Sequence, residues 1–225
     1  MNYFAHGSPF THDPYYLVGT ALPDLLSVVD RQVRVRAKGA KLWIDNADPQ
    51  VSAIARGIVQ HHADDDWFHQ TAAFNELNIA FTGRMRALLP GDDGYRPAFL
   101  GHILIEILLD SHLIQKQPAL LDEYYCSMAA VDPQQVQNVV NRMATKPTEQ
   151  LVQFFPRFLA ERFLYDYQED AKLLIRLNQV MRRVGLPLLP ESVCELFSSC
   201  RREVAQRAAE LLSSPSISAD FRCPN

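Results

Sequence analysis

The chain has 225 residues, of which 48% are apolar and 21% are charged, as in ordinary soluble globular proteins. The formal net charge of −4 is opposite in sign to that of a general nucleic-acid binder, so we do not expect nucleic acid as a partner. This length suffices for one hydrophobic core, and we predict a single domain over residues 1–212 with a loosely ordered tail over residues 213–225.

The start of the chain and its cysteines indicate a cytoplasmic protein. The first residues, MNYFAHGSPFTHDP, lack the basic start and the apolar stretch of a secretory signal. The sequence contains no run of about 18 uncharged apolar residues, the pattern that predicts a membrane span. We therefore expect no membrane partner. The cysteines have no CxxC spacing and are predicted to be free thiols in a reducing compartment: Cys126, Cys194, Cys200 and Cys223.

Helical periodicity runs through most of the chain and predicts an all-α, single-domain bundle of about seven to nine helices. The first long helix is predicted from Tyr15 to Val29, with a kink or break at Pro23. The stretch Arg31–Trp43 (RQVRVRAKGAKLW), here called the basic segment, is predicted to be a short strand or an exposed loop. Its cations are expected either to be solvated or to receive a phosphate or an acidic carrier protein.

The starts of the later helices and the position of one loop are predicted from capping and turn residues. Asp48-Pro49 and Asp132-Pro133 each place an N-cap residue before a proline at the first helical position. Pro90–Gly94 predicts a loop. Amphipathic periodicity predicts the remaining helices over residues 118–128, 148–167, 170–184 and 191–212.

One predicted helix contains three possible metal ligands in GIVQHHADDDWFHQ. His61, Asp65 and His69 follow one another at intervals of four residues, so neighbours lie on one face and can chelate one ion. The outer two are about 12 Å apart along the axis and cannot bind the same ion. The alternative is a solvated polar face, which the adjacent Asp64 and Asp66 favour.

A second triplet interrupts an otherwise apolar helix predicted over residues 97–114. His102, Glu106 and Asp110 have the same spacing, and burying such groups is costly unless each has a partner. A divalent metal accepts imidazole and carboxylate ligands together. Two facing triplets could hold two metals about 3.5–4 Å apart, although the three residues could instead form the polar face of a surface helix.

The histidines all lie in the first half of the chain, which suggests that this half builds the site. Those outside the two triplets are His6, His12, His62 and His112. We interpret His12 and His112 as structural and His62 as a neighbour of the ligands.

Three stretches resemble the acyl-carrier-protein phosphodiesterases: MNYFAH, VGTALPDLL and GIVQHHADD. Those proteins have a similar Met-Asn-aromatic-Leu-Ala-His start, a Gly-Asn-Leu-Leu-Ala-Asp element and Gly-Ile-x-x-His-x-x-x-Asp. The resemblance covers roughly the first 115 residues. It implies an all-α, metal-dependent phosphodiesterase with a fold related to the HD-type phosphohydrolases.

Matched position by position, the resemblance implies metal ligands at His6, Asp24, His61 and Asp65. The family's later pair of aspartates corresponds to Glu106 and Asp110, of which the glutamate departs from the pattern. His69 also departs, since it stands where the family tends to have aspartate.

A weaker similarity is to zinc-dependent phospholipases C and single-strand nucleases. It rests on Gly19–Asp24 and on the Gly-His-x-x-x-Glu of Gly101–Glu106. Those enzymes use their mature N-terminus as a metal ligand, whereas we expect no cleavable leader in this chain.

Together these patterns predict a metal-dependent phosphoester hydrolase with one or two ions of manganese, iron or zinc and no organic cofactor. The predicted metal ligands are His6, Asp24, His61, Asp65, His102, Glu106 and Asp110. The predicted catalytic residues are Asp65, His69 and Asp110. The partner would be a small phosphorylated substrate or a phosphopantetheinyl carrier protein, and the oligomeric state is open.

Two other functions are compatible with the sequence. A helical di-iron oxidoreductase would also use histidines and carboxylates inside a bundle, but its usual Glu-x-x-His pair is absent and only Asp66–His69 comes close. The second alternative is a non-catalytic helical scaffold.

Overall fold

The computed structural model describes residues 1–89, 91 and 94–214, and within these ranges the protein is all-α, as predicted, with no strand. Eleven α-helices are present there, more than the predicted seven to nine, although two of them have only four or five residues. Their bounds are α1 Tyr3–Gly7, α2 Pro14–Val29, α3 Ala37–Ala40, α4 Pro49–Phe68, α5 Ala72–Leu88, α6 Pro97–Lys116, α7 Pro118–Ala129, α8 Pro133–Met143, α9 Leu151–Glu161, α10 Asp170–Val184 and α11 Cys194–Leu211.

The predicted N-caps are confirmed. The Asp48 carboxylate accepts a hydrogen bond from the backbone N–H of Gln50 at 2.9 Å, and α4 begins at the following proline. Asp132 accepts from the N–H of Gln134 at 2.9 Å in the same way. Each cap satisfies an N–H group that has no partner within the helix.

Helix α2 does not break at Pro23, contrary to one of the outcomes predicted for that residue. Proline in a helix interior costs about 3 kcal/mol because it lacks an N–H and crowds the preceding turn. On either side of Pro23, Leu22, Leu25 and Leu26 are fully buried. Burial of one leucine contributes about 1.5–3 kcal/mol, so the packing of these turns outweighs the proline penalty.

Two other segments differ from prediction. The basic segment contains no strand; it has turns and extended residues followed by α3 and a 3₁₀ helix, Lys41–Trp43. The helix predicted over residues 148–167 is shorter, because Arg162 adopts the left-handed conformation (φ 42°, ψ 40°) and ends α9. A 3₁₀ helix, Phe163–Gln168, follows it.

Some predictions lie wholly or partly outside the described residues. In the predicted loop Pro90–Gly94, Gly91 and Gly94 are described and both have positive φ. Of the predicted tail, only residues 213 and 214 are described. Cys126, Cys194 and Cys200 are free, and Cys223 lies outside the described ranges.

The chain divides into two compact units. Unit 1 comprises Met1, Asp64–His112 and the chain from Asp166 onward. Within it α11 packs against α5 and α10, and its large buried side chains include Phe68, Phe81 and Phe197.

Unit 2 comprises Asn2–Ala63 and Leu113–Tyr165. Within it α1 packs against α2 and α7, α8 packs against α9, and Phe4, Tyr124 and Phe155 are fully buried. Since α4 and α6 each pass from one unit to the other, the units are not consecutive stretches of chain. The single domain over residues 1–212 stays a prediction.

Helix α6 is long and apolar enough to cross a membrane by length and composition. In its most apolar window of 18 residues, 56% of the residues are buried inside the protein. The buried core helix of a soluble protein has the same length and composition, so these properties do not identify a membrane span.

Two glycines allow α2 and α4 to touch through their backbones within unit 2. A Cβ atom on Gly57 would lie 2.8 Å from the Cα of Gly19 and would also overlap the carbonyl oxygen of Tyr16. Backbone atoms of two packed helices cannot move aside as a flexible side chain can. This close approach brings His61 of α4 to the backbone of Thr20 on α2.

Replacing Gly57 with alanine is expected to lower the free energy of unfolding by about 3 kcal/mol, because the added methyl group overpacks this crossing. The matched control is Gly83→Ala on α5, where an added Cβ meets no atom within 4 Å. The control should be stabilised by about 0.5–1 kcal/mol, since alanine is the better helix former. Chemical denaturation of both variants measures the difference, and equal stabilities would contradict the close approach.

Candidate metal centre

Three side chains of unit 1 converge on one point. One donor atom each from His69, His102 and Glu106 can be chosen so that all three lie within 4.8 Å of one another. A single carboxylate oxygen, Oε1 of Glu106, lies 2.9 Å from Nε2 of His69 and 3.1 Å from Nε2 of His102. The two imidazole rings are themselves close, with centroids 4.7 Å apart.

The elements that carry these residues explain the convergence. His102 and Glu106 are one helical turn apart on α6, so both side chains leave the same face. His69 is not on the helix predicted for it; it lies in the turn directly after α4, with its N–H bonded to the Asp65 carbonyl at 3.2 Å. Phe74 of α5 packs edge-on against both imidazoles, with centroid distances of 4.8 Å to His69 and 4.9 Å to His102.

The cluster is partly open to solvent. Along α6 the exposed side-chain fraction rises from the buried Asp110 through 12% at Glu106 to 37% at His102, and that of His69 is 31%. The two histidines of the cluster are therefore only half-buried. A small solute can approach their side of the cluster while Glu106 stays largely covered.

The pKa of Glu106 is set by opposing effects. Burial alone would raise it, but the nearby α-amino group of Met1 and the hydrogen bonds from His102 and His69 outweigh burial, and the pKa is lowered well below the usual range. Glu106 is therefore an anion at neutral pH. An anion is what a divalent cation requires of a carboxylate ligand.

The α-amino group of Met1 also contacts the cluster. Its nitrogen lies 2.6 Å from Oδ1 of Asp65 and 3.3 Å from Oε1 of Glu106, and the Met1 side chain is buried. The spacing of residues in the sequence does not predict this contact. The similarity to the zinc-dependent phospholipases C, which use an N-terminal ligand, was the one signal in the sequence that pointed to it.

The donor atoms fit a divalent metal in type and in spacing. Two imidazole nitrogens and a carboxylate oxygen suit manganese, iron and zinc alike. Ligands bound to one zinc at ordinary lengths in a tetrahedral site lie about 3.3 Å apart, close to the observed contacts of 2.9 and 3.1 Å. Without a metal, hydrogen bonds from the imidazoles to Glu106 account for the same distances. The cluster can therefore exist both with and without a bound metal.

Unit 2 brings together two other predicted ligands. The rings of His6 and His61 are stacked, with centroids 4.1 Å apart, and both residues are buried. Nδ1 of His61 lies 2.8 Å from the carbonyl oxygen of Thr20. A carbonyl oxygen only accepts, so Nδ1 donates, and in the neutral ring Nε2 retains the lone pair that a metal could use.

Two predicted ligands are not part of such a group among the described residues. Asp24 is half-buried on α2, one turn after Thr20, and Asp110 is completely buried on α6. Neither joins a set of three histidine, cysteine or carboxylate donors lying within 4.8 Å of one another in the described ranges. Their roles as ligand or catalytic residue stay predictions.

His62, interpreted as a neighbour of the ligands, lies edge-on to the ring of His61, with centroids 5.3 Å apart. Its Nε2 lies 2.9 Å from the carbonyl oxygen of Val35, within the basic segment. His12 is exposed, and His112 is half-buried near the end of α6.

In comparisons with known proteins, no family model, no curated protein and no solved structure matches the chain.

Proposed function

We propose that this protein is a metal-dependent hydrolase of phosphoester bonds and that His69, His102 and Glu106 bind a divalent ion. The observation that carries the proposal is the convergence of two imidazole nitrogens on one carboxylate oxygen at 2.9 and 3.1 Å, on a side of unit 1 that is open to solvent. The resemblance in the first 115 residues to phosphodiesterases supports the choice of phosphoester chemistry.

In this proposal each residue has one task. His69 and His102 use Nε2, and Glu106 uses Oε1, to hold the ion. When bound, a divalent ion supplies positive charge for the transferring phosphoryl group and lowers the pKa of water toward neutrality. Phe74 keeps both imidazoles in place by packing against their edges.

Proton transfer is assigned to Asp65, since His69 is used as a ligand. The Asp65 side chain is 30% exposed and accepts a hydrogen bond from the Met1 amine at 2.6 Å. A carboxylate held in this way can orient an attacking water and accept its proton. His6, Asp24 and His61 remain candidate ligands for a second ion.

The proposal is tested by an activity assay after chelation. Protein stripped with a chelator should hydrolyse a chromogenic phosphodiester or phosphomonoester only after manganese, iron or zinc is restored. A matched His12→Ala variant, which removes an exposed histidine outside the cluster, should behave like the wild type. Metal-independent activity of equal rate, or no response to any of the three metals, would contradict the proposal.

The same assay separates the alternative functions. A di-iron oxidoreductase would bind iron and consume oxygen or a reductant without phosphoester turnover. A non-catalytic scaffold would show neither activity, and its stability would be unchanged by metal because nothing would bind the folded state selectively.

A further inference from the structure

The basic segment is the most concentrated positive charge in the sequence. Its five cations are Arg31, Arg34, Arg36, Lys38 and Lys41, and no acidic residue occurs between positions 31 and 44. All five are exposed. The segment therefore contributes +5, and since the whole chain is −4, the remaining residues sum to −9.

The segment is held in place by the rest of unit 2. Val33 and Val35 alternate with the exposed arginines and are buried. The backbone of Arg34 is bonded in both directions to Thr145, with its carbonyl accepting from the Thr145 N–H at 2.9 Å and its N–H donating to the Thr145 hydroxyl at 3.2 Å. The cations are thus displayed on an anchored backbone, which lowers the entropy lost when they bind a partner.

An apolar side chain lies among the cations at the end of the segment. Leu42 is 84% exposed, and it lies within one helical turn of both Lys38 and Lys41. Lys38 precedes Lys41 by three residues and Leu42 by four, so each of these two residues lies on the side of the helical turns that carries Lys38. Within the described residues, neither lysine forms an ion pair with a carboxylate.

We propose that the basic segment is a peripheral docking surface for an anionic lipid membrane. The exposed cations would contact lipid phosphates and carboxylates, and Leu42 would enter the boundary between headgroups and acyl chains. The proposed contact is peripheral and involves no spanning helix, and it departs from the expectation, drawn from the sequence, that a membrane is not a partner.

Nucleic acid fits these observations less well. Trp43, the aromatic residue of the segment, has the guanidinium of Arg142 over its ring at 4.1 Å, so that face is not available for stacking on a base. Leu42 would gain nothing from a phosphate backbone. The charge of −9 outside the segment opposes the extended footprint that nucleic acid requires.

The test is co-sedimentation of the full chain with vesicles. We expect binding to vesicles of phosphatidylcholine with 30% phosphatidylserine and much weaker binding to pure phosphatidylcholine. The double variant Lys38→Glu, Lys41→Glu should lower the partition coefficient about 30-fold or more, from about 1 kcal/mol per cation at an anionic surface. Leu42→Ser should lower it about tenfold.

Matched controls separate docking from general charge and hydrophobicity. Arg157→Glu with Arg202→Glu makes the same change in net charge at exposed positions elsewhere, and Ile79→Ser removes another exposed apolar side chain. Both controls should bind vesicles as the wild type does. The proposal is overturned if the wild type ignores anionic vesicles, if the controls lose as much binding, or if a duplex DNA or an acidic protein binds more tightly than the vesicles.

This inference is independent of the metal centre. Vesicle binding should be the same in chelator-treated and metal-loaded protein, so failure of one proposal leaves the other intact. Dependence of vesicle binding on added metal would contradict the assignment to the basic segment.

Discussion

Alanine in place of His102 is expected to reduce the affinity for a divalent metal by at least about 100-fold and to abolish phosphoester hydrolysis. Loss of a residue that merely supports a ligand already costs 10–100-fold in metal affinity, and His102 is assigned as a ligand. Helix α6 should survive, because alanine is the best helix former and the His102 side chain is 37% exposed. Calorimetric titration with manganese and zinc measures the affinity, and circular dichroism checks the helix.

The opposite outcome for His102→Ala has a clear physical meaning. If the residue only packs against Phe74 and Glu106, its removal should cost a modest amount of stability and leave metal content unchanged. The His12→Ala variant provides the reference for removing one histidine without touching the cluster.

Glutamine in place of Glu106 is also expected to have a large effect on metal binding, because glutamine preserves the shape of the side chain and removes its charge. Metal affinity should fall at least as far as for His102→Ala. The metal-free protein should also lose about 1–3 kcal/mol of stability, since the partly buried Met1 amine loses one of its two carboxylate contacts. This loss of stability is smaller than the about 3–5 kcal/mol typical of breaking a buried ion pair, because Asp65 still contacts the amine.

The pH dependence of this difference follows from the lowered pKa of Glu106. A carboxylate with a depressed pKa in the folded state stabilises the protein above the ordinary glutamate pKa, and this contribution is lost as the pH falls through the lowered value. The stability gap between the wild type and Glu106→Gln should therefore persist from pH 7 to pH 5. Chemical denaturation at both pH values measures it.

A matched control for Glu106 is Glu203→Gln, which removes one carboxylate from a partly exposed ion pair with Arg84. Such pairs contribute about 0–1 kcal/mol, so the control should lose little stability and no metal affinity. If Glu106→Gln instead binds metal normally and melts at a higher temperature than the wild type, Glu106 is a costly buried charge and the assignment of α6 to a metal centre is wrong.

Features of the fold set by local chemistry could be predicted from the sequence. The helix starts after Asp48 and Asp132 depend on residues within one turn of the cap, so the sequence suffices to locate them. The course of α2 through Pro23 depends on leucines packed by distant parts of unit 2, which periodicity does not reveal. The end of α9 depends on the left-handed backbone of Arg162, for which arginine gives no sequence signal.

The same distinction applies to the candidate site. The pairing of His102 with Glu106 follows from helical spacing alone. The sequence does not predict that His69, and not His61 or Asp65, joins this pair, because the outcome depends on where α4 ends. The helix ends at Phe68, and His69 in the following turn contacts Glu106. The contact of the Met1 amine spans 64 and 105 residues of sequence, and no local pattern encodes it.

The central claim, that His69, His102 and Glu106 bind one divalent ion, is tested most directly by anomalous diffraction from crystals of the protein soaked in manganese or zinc. We predict an anomalous peak at about 2.0–2.2 Å from Nε2 of His69, Nε2 of His102 and a carboxylate oxygen of Glu106. A well-ordered cluster with the imidazoles still hydrogen-bonded to Glu106, and no anomalous peak among the three residues at saturating metal, would contradict it.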